Sequence, residues 1–199
     1  MLRAGARRTP VGRRRRTSHR PEPRPYASPR VNDDLVRRMV AASELHGAFV
    51  LSSGRRSSVY FDKFRFLTDP DLLRDVANAT ASLLPPDVSL LGAPEGAAML
   101  LVAAVSLQTG LPVTVVRKEP KPYGTGAQVE GNVPPGSRVA LLEDVSTTGH
   151  QVRRAAEQLE AAGAEIAAIV LAIDRGGADH LRDAGYRVEA VAVLRPDER

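Results

Sequence analysis

Arg138-Val139-Ala140-Leu141-Leu142-Glu143-Asp144-Val145-Ser146-Thr147-Thr148-Gly149 is the stretch whose reading decides the fold. An apolar run of strand length, Arg138 to Glu143, ends in two adjacent carboxylates. Small and hydroxylated residues then lead to a glycine at the start of a helical pattern. From His150 to Gly163, residues Val152, Ala155, Ala156, Leu159 and Ala162 share one helical face, and Gly163 can stop the helix. The loop therefore sits at a helix N-terminus, where unpaired backbone N–H groups and the positive dipole end favour a phosphate. Thr147 and Thr148 can donate to the same oxygens. Glu143 and Asp144 cannot hold a phosphate, but they suit ribose hydroxyls or hydrated Mg²⁺, so one loop can grip both ends of a phosphorylated sugar. The competing reading is an ordinary strand-to-helix turn with a capping Thr. Two adjacent acids ahead of Thr-Thr-Gly favour the ligand loop.

Outward from this stretch, strand and helix patterns alternate. Strands are predicted at Val88 to Leu91, Pro112 to Val116, Arg138 to Glu143, Ile166 to Ile173 and Val188 to Leu194. Helices are predicted at Glu95 to Thr109, after Gly149, and at Ala178 to Ala184. Such alternation indicates an α/β domain of three layers with a mainly parallel central sheet and ligands at the carboxyl ends of its strands. Upstream, Asn32 can cap a helix running to about Leu45. Phe49-Val50-Leu51 begins an extended segment that is broken at Ser52-Ser53-Gly54 and resumes from Val59 to Phe66, a half-buried hairpin outside the main sheet. Thr68-Asp69-Pro70 opens a further helix that Pro85-Pro86 stops. Between Val116 and Arg138 no buried element fits. Arg117-Lys118-Glu119-Pro120-Lys121-Pro122-Tyr123-Gly124-Thr125-Gly126 combines cations, prolines and glycines, which describes an exposed loop long enough to be functional.

The 199 residues suffice for one domain, residues 31–199, preceded by a tail. The net charge of +5 is the sum of two unlike regions. Residues 1–30 carry ten Arg and one Glu, and the remainder carries 18 Lys or Arg against 22 Asp or Glu. The domain is thus mildly acidic, and nucleic acid is an expected partner only for the tail. That tail is rich in Arg and Pro and lacks periodic apolar residues, which predicts disorder. A solvated tail, a polyanion-binding arm, a transit segment and a start placed too far upstream all remain open, although its prolines oppose an amphipathic transit helix. The absence of Cys fits a reducing compartment. The longest apolar run, Ala97 to Leu107, is too short to span a bilayer. No spacing of histidines suggests a metal site, and His46 and His180 are expected to be solvated.

The Glu143 to Gly149 stretch resembles the phosphoribosyl-pyrophosphate signature of type I phosphoribosyltransferases. Three more segments are similar to the orotate phosphoribosyltransferases in particular. These are Phe49-Val50-Leu51-Ser52-Ser53-Gly54 with Ser57 and Tyr60-Phe61-Asp62; Arg117-Lys118-Glu119 with Lys121, Tyr123 to Gly126 and Glu130-Gly131; and Asp174-Arg175 at a strand end. The resemblance spans Val31 to Leu194. It implies the three-layer fold with a small N-terminal hood, and Mg²⁺-dependent transfer of phosphoribose from 5-phosphoribosyl 1-diphosphate (PRPP) to orotate. It also implies a cytoplasmic homodimer in which the loop of one subunit closes over the active site of the other. By the same resemblance, Glu143 and Asp144 hold the ribose hydroxyls, with Mg²⁺ carried by PRPP nearby. Thr147, Thr148 and Gly149 bind the 5′-phosphate, Arg117, Lys118 and Lys121 neutralise the pyrophosphate, and Val145, Ser146 and Tyr123 also belong to the PRPP site. Tyr60 and Phe61 flank the pyrimidine with Thr147 close by, and Arg175 takes the orotate carboxylate. Lys118, Lys121, Arg117 and Asp144 are the expected catalytic residues, and Gly92 to Gly96 corresponds to the pyrophosphate loop. The sequence departs from the family at Ser52, at Glu95 within that loop, and at Tyr123 and His150, which leaves the acceptor base open.

Overall fold

The structure, a computed structural model, describes residues 33–50, 54, 56–121 and 127–194. The tail, the cap at Asn32, the segment from Leu51 to Ser53, and the loop residues Tyr123, Gly124, Thr125 and Gly126 lie outside the described residues.

The chain forms α1 (Asp33–Ser43), β1 (Glu44–Val50), β2 (Arg56–Phe61), α2 (Lys63–Thr68), α3 (Pro70–Ser82), β3 (Leu90–Pro94) and α4 (Ala98–Thr109). It continues with β4 (Val113–Val116), β5 (Val129–Glu130), β6 (Arg138–Ser146), α5 (His150–Ala161), β7 (Glu165–Asp174), α6 (Gly177–Asp183) and β8 (Val188–Val193). β1 and β2 form an antiparallel hairpin apart from a six-stranded sheet of order β5-β4-β3-β6-β7-β8. In that sheet β5 runs antiparallel to β4, and the other neighbours are parallel. The chain steps from β3 outward to β4, then returns to the other side of β3 with β6. That reversal makes the carboxyl ends of β3 and β6 the topological switch point, where open α/β sheets bind ligands.

Central strands covered on both faces read as near-continuous apolar runs where the layers cover them. β6 shows it: Val139 and Leu141 pack beneath α5 and α6 with Val152, Leu159 and Leu181, while Ala140 and Leu142 face the opposite layer. That layer holds Leu35 and Met39 of α1, Phe66 and Leu67 of α2, Val76 of α3, and Leu101 and Val105 of α4. The hairpin, apart from the main sheet, forms the small hood.

Several boundaries differ from the sequence reading, and one element differs in kind. Lys63 to Phe66, read as strand from its alternation, is helical. Asp62 caps it, its carboxylate accepting from the Phe64 N–H at 3.1 Å. Phe66 and Leu67, adjacent in sequence, are both buried, which the turn of a helix allows and a one-faced strand does not. β1 begins at Glu44 rather than Phe49, and α4 begins at Ala98 because β3 continues to Pro94. The region read as lacking a buried element holds a two-residue, half-buried strand, β5, fixed to β4 by Thr114 Oγ1 donating to the Glu130 carbonyl at 2.7 Å. β6 extends to Ser146 rather than ending at Glu143, so Asp144 also lies within the strand.

Candidate active site

The acidic pair is buried at the end of β6: Glu143 is 5% exposed and Asp144 fully enclosed. Glu143 Oε1 accepts from the Asp144 N–H at 3.2 Å, and Asp144 Oδ1 accepts from the Val145 N–H at 2.7 Å. Burial pushes the Glu143 carboxyl well above the usual carboxylate range, neighbouring Asp144 adds to the shift, and Lys63 opposes it. Lys63 Nζ lies 2.9 Å from Asp144 Oδ2 and 3.3 Å from Oδ1. This cation was not singled out in the sequence. Read as strand, it had no reason to point at β6; only the Asp62-capped turn of α2 aims it there.

Past Ser146 the chain turns through exposed Thr147 and Thr148 to Gly149, which precedes α5 with φ 75°. No side chain caps α5, so its first N–H groups stay open to an anion. The loop is closed from below by the turn after β7. The Arg175 N–H donates to the Ser146 carbonyl at 2.7 Å, and Asp174 Oδ1 accepts from the Gly176 and Ala178 N–H groups at 2.9 and 3.0 Å. Two glycines make this approach possible. A Cβ on Gly177 would lie 2.0 Å from Ser146 Oγ, and one on Gly149 would lie 2.9 Å from the Gly177 carbonyl oxygen.

That turn presents Arg175, whose guanidinium carbon lies 5.3 Å from the centroid of the Phe61 ring. Tyr60 does not join them. Successive β2 residues project to opposite sides, and the Tyr60 ring packs on Phe49 at 5.5 Å between centroids, 42% exposed. Phe61, Lys63, Asp144 and Arg175 thus gather where the hood meets the sheet.

Arg117, Lys118 and Lys121 leave β4 on the other side of the switch point. The Arg117 N–H donates to the Gln128 carbonyl at 2.8 Å, and the Gln128 amide donates to the Arg117 and Lys118 carbonyls at 3.1 and 3.2 Å. Lys121 Nζ pairs with Glu130 at 2.5 Å, and Arg117 lies between Glu95 and Glu130 at 3.9 and 4.0 Å. Glu95, the unexpected carboxylate, accepts from the Lys118 N–H at 2.9 Å. A cleft of about 350 Å³ opens beside these residues, lined by Pro94, Arg117, Lys118, Gln128, His150 and Arg154 among others. His46 and His180 are exposed, as expected. Among the described residues no three His, Cys, Asp or Glu side chains group as a metal cage, and no helix is long and apolar enough to cross a membrane.

No protein-family model matches the chain. Curated relatives do. The orotate phosphoribosyltransferase of Thermococcus gammatolerans is 45% identical over 160 residues, which cover 77% of this chain and 85% of the relative. That of a Nocardioides species is 45% identical over 153 residues, covering 76% and 86%. Among solved structures, Mycobacterium tuberculosis orotate phosphoribosyltransferase in complex with PRPP superposes with a TM-score of 0.69 at 26% identity, covering 81% of this chain and 94% of that one. A strand order with its switch point beside a glycine-closed loop, and this identity over most of both chains, lead to one conclusion: the chain belongs to the orotate phosphoribosyltransferases, of the type I phosphoribosyltransferase family.

Proposed function

We propose that this protein transfers the 5-phosphoribosyl group of PRPP to orotate, giving orotidine 5′-phosphate and pyrophosphate in pyrimidine synthesis. The observation that carries the reading is the convergence of Asp144, the uncapped α5 N-terminus and the Arg175–Phe61 pair around one switch point. These match the three parts of the reaction: ribose, 5′-phosphate and a planar carboxylated base. The bond from the anomeric carbon to the pyrophosphate oxygen breaks, a bond to the ring nitrogen of orotate forms, and the proton that nitrogen carried passes to the departing pyrophosphate or to solvent. Positive charge builds on the ribose and negative charge on the leaving group, so catalysis comes from positioning and electrostatics.

In this reading Thr147 to Gly149 receive the 5′-phosphate through backbone N–H groups and the Thr147 and Thr148 hydroxyls, and Val145 and Ser146 end the strand from which that loop turns. Glu143 and Asp144 accept from the ribose hydroxyls, with Lys63 holding Asp144 in place. Phe61 stacks on the pyrimidine beside Thr147, and Arg175 pairs with its carboxylate by a planar fork. Tyr60 serves the hood through Phe49 rather than the base. Arg117, Lys118 and Lys121, with Tyr123 beyond them, neutralise the pyrophosphate. Glu143 and Asp144, two adjacent hard carboxylates, fit a hydrated Mg²⁺ brought in by the donor and would face its water shell. The ion supplies charge neutralisation on the phosphate oxygens.

A cytoplasmic homodimer belongs to the same proposal. α4 is apolar nearly all round and leaves Met99, Leu100 and Leu107 exposed, a stripe suited to a second copy.

The test is a screen of nucleobases for pyrophosphate release with PRPP and Mg²⁺. Release with orotate, and with no other base at a comparable rate, is expected. Preferential release with another base would replace the acceptor. Tight PRPP binding without release with any base would instead favour a non-catalytic PRPP-sensing regulator that binds RNA.

A further inference from the structure

The turn that follows β3 places a carboxylate, Glu95, beside the expected path of the pyrophosphate, where a free negative charge would repel the leaving group. The structure shows where that charge goes. Glu95 is tied to the end of β4 by its own N–H, which donates to the Val116 carbonyl at 2.8 Å. Its side chain turns the same way: Oε1 accepts from the Lys118 N–H at 2.9 Å, and Oε2 lies 3.9 Å from Arg117 Nη1. The Lys118 carbonyl is held in turn by the Gln128 amide, so both polar backbone groups of Lys118 are bound by side chains instead of a strand ladder. An ionised acceptor makes the stronger kind of hydrogen bond, and here it fixes the residue from which the cationic loop departs.

We infer that Glu95 is a positioning residue for the catalytic loop: its carboxylate anchors the Lys118 backbone and braces Arg117, and by doing so is withdrawn from the pyrophosphate. The inference rests on the assignment of Arg117, Lys118 and Lys121 to the leaving group. Glu95 touches no reacting atom. Its effect passes through the starting point of the loop, so its loss lowers turnover more than it weakens donor binding.

Glu95→Ala, Glu95→Gln and Lys121→Ala test it in the full chain, each with kcat and KM for PRPP measured and folding checked by thermal melting. Glu95→Ala is expected to lower kcat about tenfold while KM changes less than about threefold. Glu95→Gln retains an acceptor oxygen for the Lys118 N–H and is expected to stay within about threefold of wild type in kcat. Equal losses in the Gln and Ala variants would overturn the anchoring role. So would a gain in PRPP affinity in both, the signature of a carboxylate that merely repels the donor. Lys121→Ala separates the two levels of the argument. Wild-type turnover in that variant removes the loop assignment itself, whereas impaired turnover there with an unaffected Glu95→Ala removes only the inference about Glu95.

Discussion

The two sides of the switch point are built by different means. On one side, the turn from Ser146 to Gly149 and the turn from Arg175 to Gly177 interlock through backbone contacts so close that neither Gly149 nor Gly177 has room for a Cβ. On the other, one backbone bond from Arg117 to Gln128 is supplemented by side chains that hold Arg117, Lys118 and Lys121, namely Glu95, Gln128 and Glu130, all partly exposed. Backbone packed into a core has few alternative arrangements, whereas half-exposed ion pairs contribute little stability and exchange partners readily. The difference teaches where the work of each side lies. A phosphate and a flat base need a preformed seat, while cations that must meet charge developing on a leaving group need to move toward it.

The comparison breaks most visibly at Gly177. With Ser146 Oγ 2.0 Å from the new Cβ, Gly177→Ala must push one turn off the other. A loss of about 3 kcal/mol in unfolding free energy is expected, together with weakened PRPP binding. Denaturant melts check it, and a loss below about 1 kcal/mol would show that the turns are not interlocked.

A smaller effect is expected where the hood meets the seat. Lys63→Met leaves Asp144 and Glu143 buried without their cation. Because the Lys63 side chain is 40% exposed, the cost at neutral pH is about 1–2 kcal/mol rather than that of a fully buried pair. The sign follows from Glu143. Its carboxyl is raised in the folded state by burial, so its favourable contribution is complete below the unfolded value and is lost as pH rises through the folded one. Removing Lys63 raises the folded value further. The variant should therefore come closest to wild-type stability in acid and fall behind as pH rises through the raised folded value of Glu143. Melts from pH 4 to 8 test this, and a deficit independent of pH would mean that Lys63 contributes by packing alone.

The seat was readable from sequence because its devices are local. An apolar run, two acids, two threonines and a glycine within twelve residues carry both the strand-to-helix geometry and its chemistry. What escaped depended on contacts across the chain. The alternation from Val59 to Phe66 fits a strand equally well, and only the Asp62 cap and the burial of adjacent Phe66 and Leu67 make α2 and aim Lys63 at Asp144. Likewise, Tyr60 and Phe61 are equivalent aromatics in sequence. The pleat of β2 separates them, sending one to Phe49 and the other to Arg175. Glu95 stood out in sequence only as a departure from the family's pyrophosphate loop, since nothing local shows that a carboxylate after β3 can reach the Lys118 N–H after β4.

The central claim is that this site transfers phosphoribose to a base recognised by its carboxylate, and Arg175 tests it most directly. The measurement is kcat/KM for orotate and for uracil in wild type and in Arg175→Ala. Uracil forfeits the charge-assisted pair, so the account predicts that wild type prefers orotate by at least about a hundredfold, on the order of 3 kcal/mol, and that the variant loses most of that preference through orotate alone. Equal use of uracil by wild type, or an undiminished preference without Arg175, would contradict it.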